Sequence, residues 1–147
     1  MRLNKNSGFT LLEIIIVIII VGVLASLALP RFFSTVEFSR STEALNSLGV
    51  IRQAVERCRL VDNDVTACDV DASDALEFDE IDIDDPGVIG GAHFTYVIDV
   101  TGSTGDDYTV TATRNAVDSG DGASTIALTV TNDIAARSGT GAFSSIR

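Results

Sequence analysis

The sequence predicts an α+β protein, with a long N-terminal α-helix packed on a small antiparallel β-sheet. Three observations carry this. Phe9–Leu29 is a run of 21 residues that holds a single charge, Glu13. Apolar residues then recur at Leu45, Leu48, Ile51, Val55 and Cys58, the spacing of one helix face. Residues 92 to 131 contain three segments in which apolar and polar residues alternate, the pattern of half-buried strands. A helix stripe and an apolar sheet face are the two surfaces that must bury each other.

The first eight residues, MRLNKNSG, are polar, carry Arg2 and Lys5 and no acid, and end in Gly8. The run FTLLEIIIVIIIVGVLASLAL follows. At ~1.5 Å per residue it reaches roughly 31 Å as a helix, about one hydrocarbon core. Its Ile and Val content does not forbid a helix, because in lipid each backbone group must bond within its own segment. A carboxylate inside such a run is costly, on the order of 2.5–3.5 kcal/mol, which makes Glu13 a functional residue by default and calls for a partner. Cleavage between Gly8 and Phe9 would supply one. The new α-amino group would stand four residues before Glu13, on the same helix face.

Gly8-Phe9-Thr10-Leu11-Leu12-Glu13, with the apolar run and Pro30 behind it, resembles the N-terminus of a class III signal peptide. That is the mark of type IV pilins and of the pseudopilins of type II secretion, and the likeness covers residues 1 to 60. It implies that a prepilin peptidase cuts after Gly8 and N-methylates Phe9. It also implies that Phe9 and Glu13 dock each subunit into a growing filament. Three plainer readings compete. An ordinary signal peptide would be cut after Ala28, where Ser26 and Ala28 give a small-x-small pattern, but its apolar region is normally uncharged. A plain single-pass anchor does not require Gly-Phe or Glu at those positions. A buried core helix would not be this apolar on every face.

Residues 30 to 60 continue the helix, so Phe9 to Leu60 would form a rod roughly 78 Å long if straight. Pro30 lacks an N–H and crowds the carbonyl of Ser26, and Gly22 weakens the same stretch, so a kink is expected. The resemblance implies that Gly22 to Pro30 is also where the helix loses structure in assembled filaments. Arg40, Glu43, Asn46, Arg52, Glu56, Arg57 and Arg59 fall largely off the apolar stripe. Phe9, Phe32, Phe33 and Phe38 are expected to act by packing.

Residues 61 to 91 form an acidic connecting loop. Asp62 to Asp85 contains eleven Asp or Glu and no Lys or Arg. A short edge strand is expected near Leu76–Ile83, with turns at Pro86-Gly87 and Gly90-Gly91. Asp79, Asp82, Asp84 and Asp85 offer hard oxygen ligands, but EF-hand spacing is absent and a solvated loop is the expected reading. Major pseudopilins bind calcium in a loop whose pattern is not matched here.

Residues 92 to 147 supply the sheet and a tail. Expected strands are Ala92–Val100, with Phe94, Tyr96, Ile98 and Val100 inward; Asp107–Arg114, with Tyr108, Val110 and Ala112 inward; and Ser124–Thr131, with Ile126, Leu128 and Val130 inward. The links at residues 101–106 and 115–123 have turn chemistry, which gives an antiparallel meander. Asn132–Arg147 is expected to lie along the surface as a polar tail.

Cys58 and Cys68, ten apart, fit neither a CxxC redox pair nor a four-ligand zinc site, and the lone His93 cannot complete one. In an oxidising compartment the pair would staple the helix end to the acidic loop, and a disulfide is expected over two buried thiols. The resemblance places a disulfide nearer the C-terminus, bounding a receptor-binding loop, so that adhesive role is not carried over. His93 is expected to face solvent or to pair with a carboxylate. No catalytic set and no cofactor site is legible, and none is expected.

The chain has 147 residues and a net charge of −11, and loss of Arg2 and Lys5 with the leader takes it to −13. Nucleic acid is therefore not an expected partner. The expected role is a structural subunit of a type IV pilus, held in the inner membrane as a precursor and then exported into a cell-surface filament. Its expected partners are copies of itself, prepilin peptidase, an inner-membrane assembly platform and, before assembly, lipid. The alternatives are a periplasmic type II secretion pseudopilin and an exported binding domain freed by ordinary signal peptidase.

Overall fold

The computed structural model describes residues 9–62, 75–101 and 107–147. The chain divides into two compact units, Met1–Val36 and Glu37–Arg147. One helix, α1, runs Leu11–Asp62 and contributes to both.

In the first unit the described residues are nearly all helix, and their apolar side chains, from Phe9 to Phe33, are exposed. The run is long and apolar enough to cross a membrane. Gly22 and Pro30 both lie inside the helix, so in the single chain this stretch keeps its helical structure. Near the proline, side-chain hydroxyls bond backward to carbonyls. Ser26 Oγ donates to Val23 O at 2.8 Å, and Ser34 Oγ and Thr35 Oγ1 both donate to Arg31 O at 2.9 Å.

In the second unit the remainder of α1 packs on an antiparallel sheet of order β1-β2-β3-β4-β5. The strands are β1 Ala75–Leu76, β2 Phe94–Thr101, β3 Asp107–Arg114, β4 Thr125–Thr131 and β5 Ile134–Gly139. The register places Ile98, Val110 and Leu128 in one row and Tyr96, Ala112 and Ile126 in the next. These rows bury against Leu48, Ile51 and Val55. Small residues extend the helix stripe at Ser41, Ala44 and Ala54, all buried, and bring its backbone close to the sheet.

Two elements differ from the sequence expectation. The edge strand near 76–83 is only the two residues of β1. The chain then turns, Ile81 is buried, and Phe78 and Ile83 pack partly on the core. The tail lies at the surface as expected but adds a strand, because β5, exposed along most of its length, pairs along β4 from Thr131↔Ile134 to Ile126↔Gly139. The connecting Asn132 and Asp133 have φ of 49° and 64°, the two left-handed positions of a type I′ hairpin turn. Beyond it Phe143 returns to the core, its ring 5.6 Å from that of Phe94. A Cβ on Gly139 would lie 2.0 Å from the Phe143 carbonyl oxygen, so only glycine fits there.

Candidate assembly site

At the start of α1, Thr10 and Glu13 close on each other. Glu13 Oε2 accepts from the Thr10 backbone N–H at 2.8 Å and from its hydroxyl at 2.9 Å, while the Glu13 N–H donates to Thr10 Oγ1 at 3.3 Å. This is a capping box, in which residue and reciprocal partner each satisfy a donor that the first helical turn leaves open. Thr10-Leu11-Leu12-Glu13 has the Thr-x-x-Glu spacing of a helix start. Phe9 stands beside it, 85% exposed. Gly8 lies outside the described residues. The arrangement therefore presents one carboxylate, oriented by Thr10, at the start of an apolar helical run that no other described residue covers. A Cβ on Gly22 would meet no atom within 4 Å, so nothing among the described residues demands a glycine at that position.

In the second unit, charges fasten the helix to the sheet. Glu37 takes hydrogen bonds from Arg114 Nε at 3.0 Å and Nη2 at 3.3 Å, and from Arg40 Nη1 at 2.8 Å. Arg114 also donates to the carbonyls of His93 and Asn115 and lies over the Phe94 ring. These contacts, the Arg114 bond first, hold the Glu37 carboxyl below its usual range despite partial burial. Tyr108 donates to Glu56 at 2.8 Å, and burial, reinforced by that carboxylate, pushes its phenol well up. In the loop after β3, hydrogen bonds from Ser124 and Ala123 bring Asp121 down to about 2.

His93 is paired with a carboxylate. Its Nδ1 lies 2.7 Å from Glu43 Oε2, and its backbone N–H donates to Glu43 Oε1 at 3.0 Å. Cys58 is part-buried against the core, while Cys68 lies outside the described residues. Among the described residues no group of three or more His, Cys, Asp or Glu is placed to hold a metal ion. Asp85 instead caps a turn, accepting from the Gly87 N–H at 2.7 Å.

Residues 3–29 match the family model for the prokaryotic N-terminal methylation motif. The chain is similar to a probable minor fimbrial protein of Dichelobacter nodosus, 42% identical over 76 residues, 48% of each chain. It is similar to the type IV major fimbrial protein FimA of the same organism, 29% identical over 106 residues, 67% of each chain. A third relative is the type II secretion system core protein G of Aeromonas hydrophila, 35% identical over 63 residues, 43% of this chain and 44% of the relative. The match thus spans about half of the first and third relatives. No solved structure is a significant match.

Proposed function

We propose that this chain, a member of the type IV pilin and type II secretion pseudopilin family, is a structural subunit of a type IV pilus. Prepilin peptidase cleaves it between Gly8 and Phe9 and methylates Phe9, and the subunits polymerise through the Phe9–Leu29 helices. One observation carries this reading: an exposed apolar helix whose single carboxylate sits in its first turn. A largely apolar run of 21 residues with no cover among the described residues needs either lipid or other copies of the same helix. Lipid serves before assembly and neighbouring subunits serve after it, with an inner-membrane platform mediating the exchange.

Glu13 then has a second role beyond the cap. In a bundle of stalks the dielectric is low, and the carboxylate attracts the Phe9 amine of its own or a neighbouring chain more strongly than it would in water. Desolvation offsets much of that gain. The firmer consequence is register, because helices lined by Ile, Val and Leu slide freely and one charge pair fixes their offset. Gly22 and Pro30 would give the packed helix a place to bend.

A second reading is favoured by one observation, the similarity to a type II secretion core protein. It makes the filament a short periplasmic pseudopilus. Expression of the full chain in a pilus-assembling cell that lacks its own subunit tests both readings. Surface filaments composed of this chain support the pilus. Filaments confined to the periplasm, with restored secretion in a secretion-deficient host, support the pseudopilus.

A further inference from the structure

Helix α1 and the β4–β5 hairpin border an open groove of about 590 Å³ in the second unit. Leu45, Leu60 and Leu128 make its apolar wall, and Arg52, Arg57 and Arg137 line it. Three arginines in one groove stand out in a chain of net charge −11. Other arginines are committed to carboxylates: Arg40 and Arg114 to Glu37, and Arg59 to Glu56 and Asp133. Arg52 hydrogen-bonds the Tyr108 hydroxyl beside Glu56, and neither it nor Arg137 makes an ion pair among the described residues. Arg57 donates to the Ile81 carbonyl at 3.5 Å. Glu56, the acid lining the groove, is taken up by Tyr108 and Arg59. Among the described residues the groove thus sets three arginines against the single carboxylate of Glu56, above leucines.

The complementary surface is the acidic turn that begins beside Arg57, at Ile81. Asp79, Asp82 and Asp84 are exposed, and four to five residues beyond Asp84 come Val88, 78% exposed, and Ile89, 62% exposed. Carboxylates beside an aliphatic pair match arginines beside leucines. Two copies of so acidic a chain repel each other unless a positive patch on one meets a negative patch on the next.

We propose that the arginine groove of one copy receives the 79–89 turn of a second copy. In a filament each copy gives its turn to one neighbour and its groove to another, so the contact is heterologous. It repeats from copy to copy and yields an open helical array when the rotation does not close. The pairing rests on the filament reading above and supplies a contact between the folded units, in addition to that of the apolar helices.

The test uses the full chain in the assembling host. A photo-cross-linking residue is placed at Val88, and light- and heavy-isotope chains are mixed so that links between copies are distinguishable from links within one. The pairing predicts mixed-isotope links from position 88 to the neighbourhood of Leu45, Gly49 or Leu60. It also predicts that Arg137→Glu and Asp84→Arg each reduce filament number ~tenfold, and that the two together in one chain restore it. Normal filaments with links from position 88 to another surface, to residues 63–74 of the same chain or to an unrelated protein overturn the groove and leave the filament reading intact. Loss of filaments in the double exchange overturns the charge pairing. Absence of filaments from the unaltered chain overturns the filament reading and the groove contact together.

Discussion

Arg114, at the last position of β3 and only 1% exposed, holds Glu37 of α1 with its Nε 3.0 Å from Oε2. It occupies the inward phase of β3, after Tyr108, Val110 and Ala112. Its charge is tolerated because every face of the guanidinium is used: Glu37 in front, two carbonyls beside it and the Phe94 ring below. The loop that closes over it needs Gly120, where a Cβ would stand 2.7 Å from the guanidinium carbon. Breaking such a pair from one side leaves an uncompensated charge, at a cost of about 3–5 kcal/mol.

This gives a pH signature. The Glu37 carboxyl is held below its ordinary value of 4.5 by Arg114. Its contribution is therefore complete above that value and is lost as pH falls through the lowered folded value. Glu37→Ala should lose about 3–5 kcal/mol at neutral pH and should decline less between about pH 5 and pH 3 than the parent. Urea melts of a fragment starting at residue 31, taken across that range, measure both. Parallel curves for the two proteins would show that the pair does not stabilise the unit.

Leu48 is buried against the sheet rows. Leu48→Asp puts an unpartnered charge there and should cost several kcal/mol, about 3–5, abolishing the cooperative melt of the same fragment. An unchanged melting temperature would place Leu48 off the packed face.

Much of this core was legible because alternation survives in the strands and the 3–4 spacing survives in the helix. Arg114 was not legible, since a charge at an inward position reads as the end of a strand. Ser41, Ala44 and Ala54 were missed because small residues weigh little in an apolar stripe, although their size brings the helix close. Ile134–Gly139 shows no alternation and lies exposed at the sheet edge, so its strand character comes from pairing with β4 and from the Asn132-Asp133 turn. At the candidate site, Glu13 was conspicuous as a lone charge. Thr10, its hydrogen-bond partner, was hidden by ordinary polarity although Thr-x-x-Glu is a recognisable cap.

Mass spectrometry of the exported protein without reductant should find Cys58 linked to Cys68. In the chain-entropy model a closed loop this short stabilises by somewhat under ~3 kcal/mol, so Cys58→Ser with Cys68→Ser should lower the melting temperature without preventing folding. Two alkylatable thiols in the folded, exported protein would contradict the link.

Thr10 and Glu13 can be separated. Thr10→Val removes the side-chain cap and keeps the carboxylate; loss of such a cap is typically ~1 kcal/mol, and filaments should still form. Glu13→Ala and Glu13→Val both remove the charge; each chain should insert in the membrane yet add poorly to filaments. Filament counts by electron microscopy in a cell lacking its own subunit compare the three. Wild-type numbers from both Glu13 variants would mean that the carboxylate sets neither docking nor register, and loss in Thr10→Val alone would assign the effect to the cap.

The filament reading requires that the basic leader be removed at Gly8 before the chain assembles. The most direct measurement is the N-terminal sequence and intact mass of protein sheared from the cell surface, alongside Gly8→Val. The sheared protein should begin at N-methylated Phe9, with Gly8→Val remaining as a membrane-held precursor that contributes no filaments. A mature chain beginning after Ala28, or normal processing and assembly of Gly8→Val, would contradict it.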